Sequence, residues 1–177
     1  PVGNNIIPLI LDNLLGSFTA LCINASWALG SLCDRLGPNM SHAPQLVQRL
    51  QRLLMKDHDS QLLRNVAIVL SRIAQYFPQV VSAALPEVCA YWLVPLAQVK
   101  FGGERDRAHT SALLVLRGNL PVALQQLPRI CSLLHSWGDT PMPPPIRQAA
   151  RDLLISLKQS PDFTTRWNAV PADDQLF

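Results

Sequence analysis

Two groups of side chains in this sequence have residue types that could do chemistry. His58 stands between Asp57 and Asp59, and an imidazole with two carboxylates can hold a divalent metal ion. Cys131 and His135 are four residues apart, so one helical face would carry both a thiol and a base. However, the first group falls in a polar break, where charged loops are usually solvated, and nothing near the second supplies an orienting group or an oxyanion site. We therefore expect no metal, no cofactor and no enzyme.

A large aromatic side chain is a better candidate for function. Trp27 follows Ile23 by four residues and Thr19 by eight, so the three lie along one helical face. On a concave surface such a ring could cover the side chains of an extended peptide, and aromatic anchors dominate interfaces of this kind. The alternative is that Trp27 is a core residue between helices, and periodicity alone favours that alternative.

The composition limits the classes of function. The chain has 177 residues, of which 49% are hydrophobic and 15% charged, so it can bury a sizeable core and is not a disordered tail. Its net charge of +3 is too weak for a nucleic-acid footprint, and no stretch concentrates the basic residues. The first residue is Pro1 and not Met, so we expect the sequence to be part of a longer protein.

Cysteine usage and hydropathy point to an intracellular protein without a membrane span. Cys22, Cys33, Cys89 and Cys131 are far apart in apolar runs, which favours reduced core thiols over a disulfide framework. Residues 80–99 are apolar with a single Glu, but two prolines interrupt them and an unpaired central carboxylate is costly in lipid. This stretch therefore predicts a buried helix pair.

Apolar residues recur at helical spacing along the whole chain, and no strand-like alternation competes. Ser17 is expected to cap the second helix, and Phe101-Gly102-Gly103 is expected to form a turn. The predicted helices are residues 6–16, 17–36, 41–55, 60–77, 79–99, 104–120, 122–137 and 146–158, with a last turn at 163–167.

The predicted helices pair, and the pairs repeat. Asn24 and Asn65 occupy matching positions 41 residues apart, within the period of about 40 to 47 residues of HEAT and armadillo repeats. The sequence therefore predicts an all-α fold, an α-solenoid of antiparallel helix pairs in which the Asn-containing helices close each pair. The expected repeats are 5–37, 41–77, 79–120 and 122–158, followed by a tail at 159–177.

Several segments carry a family resemblance. Cys-Ile-Asn-Ala-Ser-Trp-Ala-Leu-Gly at 22–30 resembles the Asn-Ala-Thr-Trp-Ala-Ile-Gly helix of transportins, the karyopherin-beta-2 nuclear import receptors. Leu-Leu-Arg-Asn-Val-Ala-Ile at 62–68 is similar to the family's Leu-Leu-Glu-Asn-Thr-Ala-Ile. Further collinear matches are Ile-Pro-Leu at 7–9, Pro-Gln-Val-Val at 78–81, Ser-Trp at 136–137 and Arg-Trp at 166–167.

The resemblance implies the C-terminal part of a receptor that shuttles between cytoplasm and nucleus. Transportins bind cargo proteins through an extended nuclear localisation signal, which has an apolar or basic patch, an Arg and a Pro-Tyr pair. Ran-GTP docks on the N-terminal arch and releases the cargo, and nucleoporins are further partners. The resemblance places the Pro-Tyr pocket and most Ran contacts upstream of this sequence, and it implies no direct contact with nucleic acid or membrane.

The resemblance also implies a site. The residues assigned to cargo binding are Trp27, Asn24, Ile23, Thr19, Asn65 and Ile68. Three positions depart from the family: Thr19 replaces an Ile, Ile23 replaces an Asn and Arg64 replaces an acid, which removes attraction for basic signals. The Asn65 amide could bond a peptide backbone, or it could form a polar rung inside the solenoid.

A second hypothesis is a HEAT-repeat scaffold subunit that binds folded partner proteins on its ridges. Such a protein would have a similar solenoid. The paired residues Asn24/Trp27 and Asn65/Ile68 favour the receptor, because they place amides and apolar groups where an extended peptide would lie.

Overall fold

A computed structural model describes residues 2–100 and 102–175, so Phe101 of the expected turn and residues 176–177 of the expected tail lie outside the described residues. The described residues form helices and no strand, which confirms the all-α fold class. The α-helices are α1 (Val2–Leu14), α2 (Thr19–Leu36), α3 (Ala43–Leu54), α4 (Ser60–Tyr76), α5 (Pro78–Ala97), α6 (Gly103–Arg117), α7 (Leu120–Gln125), α8 (Leu127–His135), α9 (Pro144–Lys158) and α10 (Phe163–Trp167).

The helices stack in two layers. We call α1, α3, α5, α7 and α8 the first layer, and α2, α4, α6 and α9 the second layer. Within the second layer, α2 packs on α4, α4 on α6 and α6 on α9, while α3, α5 and α8 stack in the first layer. In addition, α2 packs on α1, α4 on α3, α6 on α5 and α9 on α7. Successive pairs that each contact their neighbours are the arrangement of a helical repeat array.

The start of α2 differs from its predicted cap. Phe18 is the residue before the first helical turn, and no side chain caps the helix there. Ser17 stands one position too early for its hydroxyl to reach the free N–H groups, so the predicted cap is wrong. By contrast, Asp59 caps α4, because its Oδ1 accepts hydrogen bonds from the backbone N–H groups of Gln61 and Leu62 at 2.8 and 3.3 Å.

Proline shapes the first layer in two ways that differ from the prediction. The expected break at Pro86 is absent, since α5 runs unbroken from Pro78 to Ala97. Pro86 cannot donate to the Ser82 carbonyl, but the Asn119 side chain does so instead at 3.4 Å. The predicted helix at 122–137 is two helices, because Pro128 cannot continue the hydrogen bonds of α7 and fits the first turn of α8.

α5 forms the centre of the core. Among the described residues it is the one helix long and apolar enough to cross a membrane. Here its inward side chains are buried against α3, α4, α6 and α8. Trp92 is fully buried, and its Nε1 donates a hydrogen bond to the Ala67 carbonyl oxygen of α4 at 3.0 Å. The ring thus joins the two layers by both apolar contact and a satisfied polar group.

All four cysteines are buried free thiols, as expected for core residues. Burial raises the pKa of Cys33 and that of Cys89 to about 12 in each case. Both thiols therefore stay protonated and unreactive at neutral pH.

We expect Trp92→Ala to lower the free energy of unfolding by about 3 to 5 kcal/mol, the usual cost of deleting a large buried ring. Urea unfolding monitored by circular dichroism measures this loss. Tyr91→Ala is the matched control, because the neighbouring ring is 46% exposed and its loss should cost well under half as much. Equal losses for the two variants would show that Trp92 does not hold the layers together.

Candidate functional site

Trp27 lies on the surface of the second layer. It is 71% exposed, so the alternative that it is a core residue is wrong. Thr19 and Asn24 on the same helix are also exposed, while Ile23 is half-buried and packs against the core. Four of the residues predicted for the site thus stand together on α2, with an exposed ring at their end.

Gly30 of α2 lies against α4 and leaves room for the Arg72 side chain. A Cβ at Gly30 would lie 2.8 Å from Nη1 of Arg72 and 3.3 Å from Cγ2 of Val69, so a larger residue would displace the Arg72 guanidinium and crowd Val69. Trp27 stands one turn before Gly30, and Ile68 stands one turn before Arg72. The two candidate residues therefore occupy corresponding turns of adjacent helices.

The candidate amides are free to bind a ligand. Within the described residues, neither Asn24 nor Asn65 donates or accepts a side-chain hydrogen bond, which argues against Asn65 as a polar rung. Asn65 and Ile68 line a shallow cavity of about 730 Å³, and Gln98 and Lys100 line its other side. An extended peptide backbone in this cavity would find an unpaired amide beside an apolar side chain.

An ion network crosses the second layer beside these residues. Nη1 of Arg72 on α4 lies 3.2 Å from Oδ2 of Asp34 on α2, and Nη2 of Arg72 pairs with Glu104 on α6. Nη1 of Arg107 adds a third contact, 3.6 Å from the same Asp34 oxygen. Acids near helix ends are usually solvated, but Asp34 and Glu104 are instead paired across three helices. The separation of Asp34 and Arg72, which is close to the repeat period, was the signal that could have found the pair.

Arg105 stands between charged residues in the first turns of α6, yet it is only 3% exposed. Its guanidinium donates hydrogen bonds to the carbonyl oxygens of Lys100 at 2.8 Å and Ser136 at 3.1 Å. The guanidinium carbon also lies 3.6 Å from the centroid of the Trp137 ring. A buried charge needs such partners, and here they tie α6 to the end of α8.

His109 completes this buried cluster. Nε1 of Trp137 donates to Nδ1 of His109 at 3.1 Å, so Nδ1 carries no proton and Nε2 donates to the Leu96 carbonyl at 3.0 Å. Burial is the main cause that lowers the pKa of His109 to about 4; the Arg105 charge lowers it further and the bond to Leu96 opposes the shift. The ring is therefore neutral at pH 7 and acts as a structural link, not as an acid or base.

The remaining chemical candidates do not assemble into a site. Across residues 2–100 and 102–175, no group of three His, Cys, Asp or Glu side chains could hold a metal ion. His58 and its two Asp neighbours are included in that search. Cys131 is buried in the core and His135 is exposed.

Known proteins resemble this chain over most of its length. Transportin-1 of human and of mouse are each 25% identical to it over 139 residues, which is 77% of this chain and 16% of either relative. Transportin of Dictyostelium discoideum is 26% identical over 156 residues, which is 86% of this chain. No family model matches the chain. The resemblance to transportins is thus confirmed, and the chain spans about 16% of the length of these curated relatives.

The His109 environment predicts a pH dependence of stability. Its folded pKa of about 4 lies below the ordinary value of 6.5, so between these values the unfolded chain binds more protons. The contribution of neutral His109 to the free energy of unfolding is complete above about pH 6.5. It falls as the pH drops, by roughly 3 kcal/mol at most. Urea unfolding from pH 7 to pH 4 measures the slope. His109→Gln keeps an acceptor and a donor but cannot titrate, so its slope should be shallower; identical slopes would contradict this.

Proposed function

We propose that this chain is part of a nuclear import receptor similar to the transportins and that its second layer binds an extended segment of cargo. One observation carries the proposal: the Trp27 ring on α2 is 71% exposed, and on the neighbouring α4 Asn65 and Ile68 line an open cavity. An exposed indole ring leaves a large apolar surface in contact with water, and a bound apolar side chain would cover that surface.

The proposed binding mode uses two kinds of contact. The apolar N-terminal patch of a nuclear localisation signal lies over Trp27 and Ile68, flanked by Ile23 and Thr19. The peptide backbone bonds to the amides of Asn24 and Asn65. Backbone contacts do not depend on peptide sequence, so the surface would accept signals that share little beyond an apolar segment.

The charge of the surface favours apolar signals over basic ones. Asp34 and Glu104 are neutralised by Arg72 and Arg107, so these acids are not available to a basic peptide. Arg64 stands beside Asn65, where the family has an acid, and donates to the Gln98 side chain at 3.4 Å. A cargo that relies on its apolar patch is therefore the expected ligand.

The rest of the receptor cycle is proposed by analogy with the transportins. The Pro-Tyr pocket and the Ran-GTP contacts would lie in other parts of the receptor, nucleoporins would be its partners, and it would shuttle between cytoplasm and nucleus. The two helix layers support a division into repeats at 5–37, 41–77, 79–120 and 122–158, with 159–177 as a tail. A signal bound at both sites gains affinity by effective concentration, so this half-site alone should bind weakly.

We expect Trp27→Ala in the full-length protein to weaken a cargo that relies on its apolar patch by about 1 to 3 kcal/mol, the usual range for an interfacial aromatic anchor. Fluorescence anisotropy with a labelled signal peptide measures the loss. The melting temperature should barely change, because the ring is exposed.

Tyr91→Ala removes an exposed aromatic ring from the first layer and is the matched control. It should leave affinity unchanged. If Trp27→Ala unfolds several degrees early but binds the signal normally, the cargo proposal fails and a scaffold that docks folded partners becomes the better account.

Asn65→Leu tests the backbone contacts. The variant keeps the size of the side chain but removes both hydrogen-bonding groups, so affinity should fall by about 1 kcal/mol. Because the amide bonds the peptide backbone, apolar and basic signals should lose affinity equally, as isothermal titration with two peptides would show. A loss confined to one peptide would indicate a side-chain contact instead.

A further inference from the structure

A second cavity lies at the far end of the second layer, away from Trp27. We call it the basic cavity. Its volume is about 370 Å³, and it is lined by Arg147, Arg151, Lys158, Leu154, Ile155 and Trp167. Apart from Trp167 of α10, these residues all belong to α9. This size accommodates one or two large side chains but not a folded domain.

The three cations of the basic cavity form one stripe. At about 100° per residue, Arg147, Arg151 and Lys158 fall within an arc of about 40° on α9. Neither Arg151 nor Lys158 forms an ion pair or hydrogen bond within the described part of the chain, and Arg147 donates only to the Met142 carbonyl at 2.9 Å. Like charges four residues apart destabilise a helix, so this stripe is unfavourable unless an anionic partner binds.

The acid of α9 does not neutralise the stripe. Asp152 lies about 100° or more away around the helix. Its carboxylate is already paired with Arg117 of α6 at 3.1 Å and with the Gln148 amide at 2.7 Å. The basic cavity thus lies on the side of α9 turned away from α6 and keeps its positive charge.

Apart from the three cations, the lining of the basic cavity is apolar. Ile155 is 54% exposed, and Leu154 borders the same space. The Trp167 ring is already stacked on Phe163, with ring centroids 5.6 Å apart and planes 20° from parallel. A nucleic acid would use phosphate contacts and free ring faces but would gain little from an aliphatic hollow.

We propose that the basic cavity binds an acidic peptide segment that carries one or two large apolar side chains. These apolar side chains enter between Ile155, Leu154 and Trp167, and flanking carboxylates pair with Arg147, Arg151 and Lys158. The stripe is about 16 Å long, so five or six residues of extended peptide span it. This site is separate from the cargo surface, since it uses neither α2 nor α4.

The test uses the 177-residue chain and a labelled peptide of about eight residues, with Asp and Glu flanking a central Leu-Phe pair, measured by fluorescence anisotropy at low ionic strength. We expect saturable binding that Arg151→Glu weakens about tenfold or more. Arg49→Glu, at an exposed position of α3, changes the net charge equally and should alter affinity less than about twofold.

Two further probes separate the contribution of the apolar contacts from that of the charges. Replacing Leu-Phe with Ser-Ser in the peptide should weaken binding several-fold, and a single-stranded oligonucleotide of similar charge should bind less tightly than the acidic peptide. The proposal is overturned if the peptide does not bind, if Arg151→Glu and Arg49→Glu have equal effects, if the Ser-Ser peptide binds as well, or if the oligonucleotide binds more tightly. Trp27→Ala should not change this affinity, so the result is independent of the cargo proposal.

Discussion

Arg72 is the residue on which the arrangement of the second layer depends. Its guanidinium pairs with Asp34 on α2 and with Glu104 on α6, so one half-buried cation links three helices. Gly30 leaves room for this guanidinium beside α2, since a Cβ there would lie 2.8 Å from Nη1 of Arg72. This alignment fixes how α2, which carries Trp27, packs against α4, which carries Asn65. The proposed cargo surface therefore depends on how α2, α4 and α6 pack together, and no single helix forms it.

A second polar cluster gives the other half of the array a comparable link. Arg105, Trp137 and His109 join the end of α5, the middle of α6 and the end of α8 through a chain of directed contacts. Every strong donor in this chain has an acceptor, apart from Nε of Arg105. Buried polar groups with satisfied partners fix one packing among many similar apolar ones. A few polar residues thus fix how each helix pair is aligned with the next.

The sequence predicted the helices because apolar residues at spacings of three and four leave no alternative way to bury a continuous face. It failed where a distant residue decides the outcome. Asn119 supports the carbonyl that Pro86 leaves free, so α5 stays whole, and nothing local to Pro86 indicates this. The charged neighbours of Arg105 in the sequence suggest an exposed side chain, and only its hydrogen bonds to the carbonyl groups of Lys100 and Ser136 explain its burial. For the site, the pattern located Trp27 on a face, but only packing shows that this face is exposed.

The four tryptophans allow a direct measurement of the central claim, that an extended signal peptide binds the second layer at Trp27. Trp92 and Trp137 donate their indole N–H groups inside the protein, to Ala67 and His109, whereas Trp27 is exposed. In ¹⁵N-correlated NMR spectra of the chain titrated with the signal peptide, the Trp27 indole signal should shift saturably while those of Trp92 and Trp137 stay in place. Saturable binding that leaves the Trp27 signal unmoved would contradict the account.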